Sequence, residues 1–163
     1  MKQTHRRKLS FSGSVLGLAL AVVLLLFSTA AGAADSSGYQ VVDGLAIYYA
    51  VIPAEIVRGH PKGHPEAVMH GGVPKGKHVH HIMVALFDST GQERITDAQV
   101  TATIGEVGLA AKEIQLEPFT IAGALTYGNY VEVSELATYA IDLAIKRPGP
   151  TPVVGTRFAY QHH

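Results

Sequence analysis

The chain has 163 residues, with 13 Lys and Arg against 13 Asp and Glu, nine histidines and no cysteine. Without cysteine there are no disulfide staples, no thiolate metal site, no c-type haem attachment and no lipoprotein anchor, so any metal must be held by His, Met, Asp or Glu. Nor does the balanced charge supply the clustered basic surface that nucleic acid requires.

Lys2, Arg6, Arg7 and Lys8 open the chain, and an uncharged stretch follows, densest in Leu, Val and Ala from Val15 to Phe27. It runs into small residues, Ser28 to Ala34, before the first acid at Asp35. A positive start, a short apolar middle and a small-residue exit have the form of a secretory signal peptide, with cleavage expected near Ala33 or Ala34. The rival reading is a retained anchor helix, since no charge falls between Lys8 and Asp35. Arg6-Arg7 also fits twin-arginine export, although such pairs occur in ordinary signals. The expected division is therefore a signal over 1–34 and a single domain over 35–163, with nine basic residues against thirteen acids, destined for the periplasm.

Beyond the signal the hydrophobic period is mostly two. Leu45, Ile47, Tyr49 and Val51 alternate, and that stretch ends at Pro53. A loop of about 25 residues is expected over 53–77, with Pro53, Pro61, Pro65, Pro74 and several glycines; loops this long inside compact domains carry function or are disordered. Ile82, Val84 and Leu86 alternate next, although Met83, Ala85 and Phe87 make the second face apolar as well. Asp88-Ser89-Thr90-Gly91 reads as a turn. Ala98 to Ile104 alternates again, shorter strands fit Lys112–Glu117 and Tyr127–Val133, and 134–137 could form one helical turn. Tyr139, Ile141, Leu143 and Ile145 alternate most cleanly, and a last strand is expected from Val153 to His162. About seven short strands without a long amphipathic helix predict an all-β, immunoglobulin-like antiparallel sandwich.

Six of the nine histidines lie between residues 60 and 81: His60, His64, His70, His78, His80 and His81. On an extended strand His78 and His80 point to one side, roughly 7 Å apart at the backbone, and His81 and Met83 to the other. Two imidazoles at that spacing can converge on one ion. The proline-bearing loop can add His60, His64, Met69, His70 or Glu66. Imidazole with thioether suits copper, Cu(I) especially, whereas imidazole with carboxylate suits zinc, Cu(II) or iron. Met69, beside His70 in a polar context, is the better thioether candidate, and Met83 serves equally as ligand or packing. The plain alternatives are a solvated loop, a pH-sensitive patch or adventitious metal capture. The terminal pair His162-His163 carries a weaker signal, although a final strand could place His162 beside a neighbouring site.

The C-terminal half, through Leu116-Glu117-Pro118-Phe119, Thr126-Tyr127-Gly128-Asn129-Tyr130, Tyr139-Ala140-Ile141-Asp142-Leu143 and Phe158-Ala159-Tyr160, resembles the periplasmic iron-transport accessory proteins of bacteria. The stretch from His80 to Ile104 is similar also to the YtkA-like and CopC-like copper-handling domains. The resemblance implies an immunoglobulin-like sandwich that binds copper through Met, His and acidic side chains and assists iron uptake. It covers half to two-thirds of the chain beyond the signal. One position departs: the family's ligand histidine before the Tyr-Gly motif is Thr126 here, so the histidines of 60–81 would have to replace it.

The favoured function is an exported periplasmic metal-binding protein, copper before zinc or iron, acting as chaperone, buffer or transport accessory for a membrane transporter or cuproenzyme. A site closed within one subunit and a site shared between two copies of a homodimer fit the sequence equally well. The alternative is an interaction module without metal, docking a partner protein through a sandwich edge, the long loop or a surface containing Tyr48, Tyr49, Tyr127 and Tyr130. An enzyme is not expected: no H-E-x-x-H framework, Gly-x-Ser-x-Gly elbow, P-loop or dinucleotide fingerprint is present, and Pro61 and Pro65 fit poorly with a helix joining His60 to His64.

Overall fold

The computed structural model describes residues 38–59, 68, 71–133 and 136–163. Its elements, in chain order, are β1 (Tyr39–Val42), β2 (Leu45–Pro53), α1 (Ala54–Arg58), β3 (Val79–Asp88), β4 (Gln99–Glu106), β5 (Lys112–Ile121), β6 (Ala124–Glu132), β7 (Thr138–Lys146) and β8 (Val154–Gln161). Neighbouring strands follow the order β1-β2-β3-β6-β5-β4-β7-β8, every pairing antiparallel. The expected all-β sandwich is observed, with eight strands rather than about seven.

The extra strand is β1, which returns into β2 through Asp43 and Gly44, both at positive φ (47° and 80°). Two consecutive left-handed residues make the tight turn whose twist matches a hairpin, and Asp-Gly tolerates it. The loop expected over 53–77 needs correction at its start: Pro53 closes β2 and α1 follows at once, burying Ala54 and Val57. The helical turn expected over 134–137 falls partly on residues outside those described.

One strand folds the sheet over. β5 pairs with β4 from Lys112 to Leu116 and with β6 from Glu117 to Ile121, so it belongs to both layers and turns the corner between them. Leu45, Ile47, Ile82, Val84 and Leu86 from one layer meet Val100, Ala102, Ile141, Leu143, Ile145 and Phe158 from the other. Their alternation with outward residues builds the core. The free edges β1 and β8 approach each other, and side chains bridge the seam. Gln40 Nε2 donates to the Arg157 carbonyl (2.9 Å), the Thr156 hydroxyl bonds Gln40 Oε1, and the Tyr49 hydroxyl donates to the Ala159 carbonyl (2.8 Å). The layers therefore close towards a barrel. Among the described residues no helix is long and apolar enough to cross a membrane.

Candidate metal centre

The apolar run of β3 fixes where its histidines point. Ile82, Val84 and Leu86 lie in the core, and His80 shares their parity, so its side chain enters the space between the layers at the mouth of the sandwich. On the facing layer Phe158 is core, Tyr160 packs against it, and His162 continues that face just past β8. The His80 and His162 rings stand 4.8 Å apart between centroids at 82°, with Tyr160 6.3 Å from His80. The N–H of His162 donates to the Ala137 carbonyl at 3.0 Å, which holds the chain end in place.

His80 is 1% exposed. Its Nδ1 lies 3.1 Å from the carbonyl oxygen of His78. A carbonyl only accepts, so Nδ1 carries the proton and the neutral ring presents its lone pair at Nε2. That Nε2 is buried and has no hydrogen-bond partner among the described residues. Burial is the main force lowering the His80 pKa; the His78 hydrogen bond opposes it, His162 and His78 add to the lowering, and Glu55 opposes it. The ring is therefore neutral at pH 7. His162 Nδ1 lies 3.3 Å from the Tyr160 hydroxyl.

The other strand histidine faces away. His81 has the parity of Met83, Ala85 and Phe87, on the outer face of the same layer. It is nonetheless fully buried there, with Phe119 and Tyr130 rings 5.2 and 4.8 Å from its own. Beneath it, a Cβ on Gly128 would fall 2.6 Å from the Ile82 carbonyl oxygen and 2.9 Å from His81 Nε2, so only glycine fits. Met83, half-buried, pairs in register with Gly128.

The expected pairing of His78 with His80 is thus modified. His78 precedes β3 and contributes its carbonyl to His80, whereas the ring facing His80 is that of His162. His80 and His81 sit on opposite faces of one layer and do not share a site. Among the described residues no group of three His, Asp or Glu side chains converges as a metal cage. His60, His64, Glu66, Met69 and His70 lie outside the described residues. Of the tyrosines considered for a docking surface, Tyr48 is exposed, but Tyr127 is a core residue whose hydroxyl accepts from the Ala98 N–H (3.0 Å). Sequence reasoning undervalued His162. The usable signal was its parity with Phe158 and Tyr160 on the last strand.

A cleft of about 590 Å³ opens at the same end, with Ile104, Ile114, Val131 and Tyr139 among its walls and Lys112 and Glu132 at its rim. Val131 is the register partner of His80.

No family model matches the chain, and no curated relative matches it by sequence. Solved structures share its fold. A DUF4426-family protein from Pseudomonas aeruginosa PAO1 gives a TM-score of 0.56 at 19% identity, over 76% of this chain and 91% of that one. A copper-bound variant of FetP from uropathogenic Escherichia coli gives 0.57 at 12% identity, over 79% and 96%. Copper-reconstituted P19 from Campylobacter jejuni gives 0.54 at 10% identity, over 79% and 95%.

Proposed function

We propose that this chain is an exported periplasmic metal-binding protein, copper favoured over zinc or iron, which chaperones or buffers the ion or assists its transport. One observation carries the reading: the buried His80 Nε2 has no partner among the described residues, and the His80 and His162 rings stand 4.8 Å apart across the sandwich mouth. A buried acceptor without a partner costs about 1–3 kcal/mol, and an ion would remove that cost. That both FetP and P19 are copper-bound in structures of this fold supports copper as the cargo.

His80 supplies a fixed donor, because the His78 carbonyl holds its tautomer and orientation in the manner of an outer partner to a metal-bound imidazole. His162 supplies a second donor from the facing layer, just past β8. Two donors invite a third, and the candidates to complete the set are His60, His64, Met69, His70 and His78. Thioether completion would favour Cu(I); a third nitrogen or a carboxylate would favour Cu(II) or zinc. His81 and Met83 form a separate outward half-site. The ion leaves by ligand exchange with a membrane transporter or cuproenzyme, and no substrate bond is broken.

Titration of purified apo-protein with Cu(I), Cu(II), Zn(II) and Fe(III), repeated on His80→Ala and His162→Ala, tests this. The expected result is one tight site for copper, weakened in both variants. Micromolar or weaker affinity for all four ions, unchanged by either substitution, overturns it.

A further inference from the structure

The tautomer of His80 depends on where one backbone oxygen sits. The His78 carbonyl accepts from the Val133 N–H (2.9 Å) and lies 3.1 Å from His80 Nδ1. Its two lone pairs can serve both donors. Should that oxygen drift, the imidazole proton can move to Nε2, which then has no lone pair to give a metal. His78 lies just before β3, and residues 73–76, which lead up to it, belong to no helix or strand. A strand ladder therefore does not set their course.

Arg58 grips that stretch. Its Nη1 donates to the Pro74 carbonyl (2.7 Å) and its Nη2 to the Gly76 carbonyl (3.4 Å). A guanidinium presents its donors in a rigid planar fork, so two carbonyls held at once fix direction as well as distance. The base of the fork is firm. α1 follows directly on Pro53, the register partner of His80, and is anchored by buried Ala54 and Val57. Glu55 Oε1, one turn back on α1, lies 3.5 Å from Nη2. Past the fork, Gly76 sits at φ 141°, where a Cβ would fall 3.0 Å from Val79 Cγ2. The chain thus passes tightly from the Arg58 grip into β3.

We propose that Arg58 is a positioning residue of the metal centre: it fastens the lead-in of β3 to α1, so that the His78 carbonyl stays on His80 Nδ1 and the Nε2 lone pair is kept for the ion. The inference rests on the reading of His80 as a metal donor. Arg58 acts through the backbone of 74–78 and touches no ion. Its positive charge would by itself oppose a cation, so its effect on affinity has a sign that separates positioning from electrostatics.

The test compares the full chain with Arg58→Gln, first without metal. Nitrogen NMR of the His80 ring reads which nitrogen carries the proton, and hydrogen exchange of the Val133 amide reads the grip on the His78 carbonyl. In Arg58→Gln the tautomer protonated at Nε2 should become populated and the Val133 amide should exchange faster. Arg58→Lys, whose ammonium is a point donor, should fall between. Gly76→Ala disturbs the same lead-in independently and should move the same two signals. Copper affinity should drop at least about threefold in Arg58→Gln, part of the roughly 10–100-fold that loss of an outer partner costs. Arg157→Gln removes a positive charge paired with Asp142 on the facing layer and should change none of these readings. Unmoved ring and Val133 signals in Arg58→Gln, or copper affinity equal to or tighter than wild type, overturn the inference and leave the metal reading standing. So does a lowered melting temperature with the ring signals unchanged, since Arg58 would then serve stability only. A wild-type chain that binds no copper overturns the metal reading and this inference with it.

Discussion

His80 on β3 and His162 beyond β8 bring their rings within 4.8 Å across the mouth of the sandwich, one from each layer. On the proposed reading, a metal held there would tie His162 to the central strand. Saturating the apo-protein with copper at about a hundredfold over its Kd should stabilise it by ~2.7 kcal/mol, because the ion binds only the folded form. Thermal unfolding with and without copper, and after chelation, measures this. His162→Ala should abolish most of the gain and weaken copper binding about tenfold or more.

Gly128 lies under the His81 ring, where a methyl group would stand 2.6 Å from the Ile82 carbonyl and 2.7 Å from the Phe119 ring. The carbonyl belongs to the β3 strand and cannot yield without disturbing the ladder. Gly128→Ala should cost about 1–3 kcal/mol of stability, the range for overpacking. Denaturant unfolding gives the cost, and shifted His81 ring resonances would show where the strain goes.

Tyr127 uses its hydroxyl to accept from the Ala98 N–H at 3.0 Å while the ring fills the core. Tyr127→Phe keeps the ring and leaves that N–H without its acceptor. A loss of about 1–3 kcal/mol is expected, the cost of an unmade buried hydrogen bond. Faster exchange of the Ala98 amide should accompany it.

Asp88 is held below the usual carboxylate range, chiefly by the Thr90 hydroxyl and then by the backbone N–H groups of Glu93, Gln92 and Gly91. The folded state thus prefers the charged form. Its contribution is fully present above the ordinary carboxylate value of 3.8 and is lost as pH falls through the lower folded value. Thr90→Ala should raise the Asp88 pKa towards 3.8, read by carboxyl NMR titration. Asp88→Asn should flatten the acid limb of the stability curve.

Period-two patterning, turn residues and the lack of a long amphipathic stretch were enough to read an antiparallel sandwich, because strand burial depends on local alternation. β2, β3, β4, β7 and β8 were all legible in that way. β1 was missed, although Asp43-Gly44 marks its hairpin, because only four residues precede the turn and two of them are exposed. α1 was missed because a single five-residue turn has no period to detect.

The histidine cluster was also visible along the chain, as was the opposition of His81 to His80, since alternation alone sends neighbours to opposite faces. What the chain by itself could not disclose was the partner of His80. Sequence proximity favoured His78, but packing of two layers set His162 opposite, through a β8 whose alignment depends on β7, β4 and the corner in β5. The side-chain amide of Asn129, which donates to the Gln115 carbonyl and accepts from the Tyr130 N–H where β5 and β6 part, is likewise a tertiary fact. An asparagine in a strand is unremarkable in a linear reading, and its role appears only where two strands part and a side-chain amide bridges the backbone groups they leave. Local alternation determines which way a residue points; the folding of one layer over the other determines what it meets there.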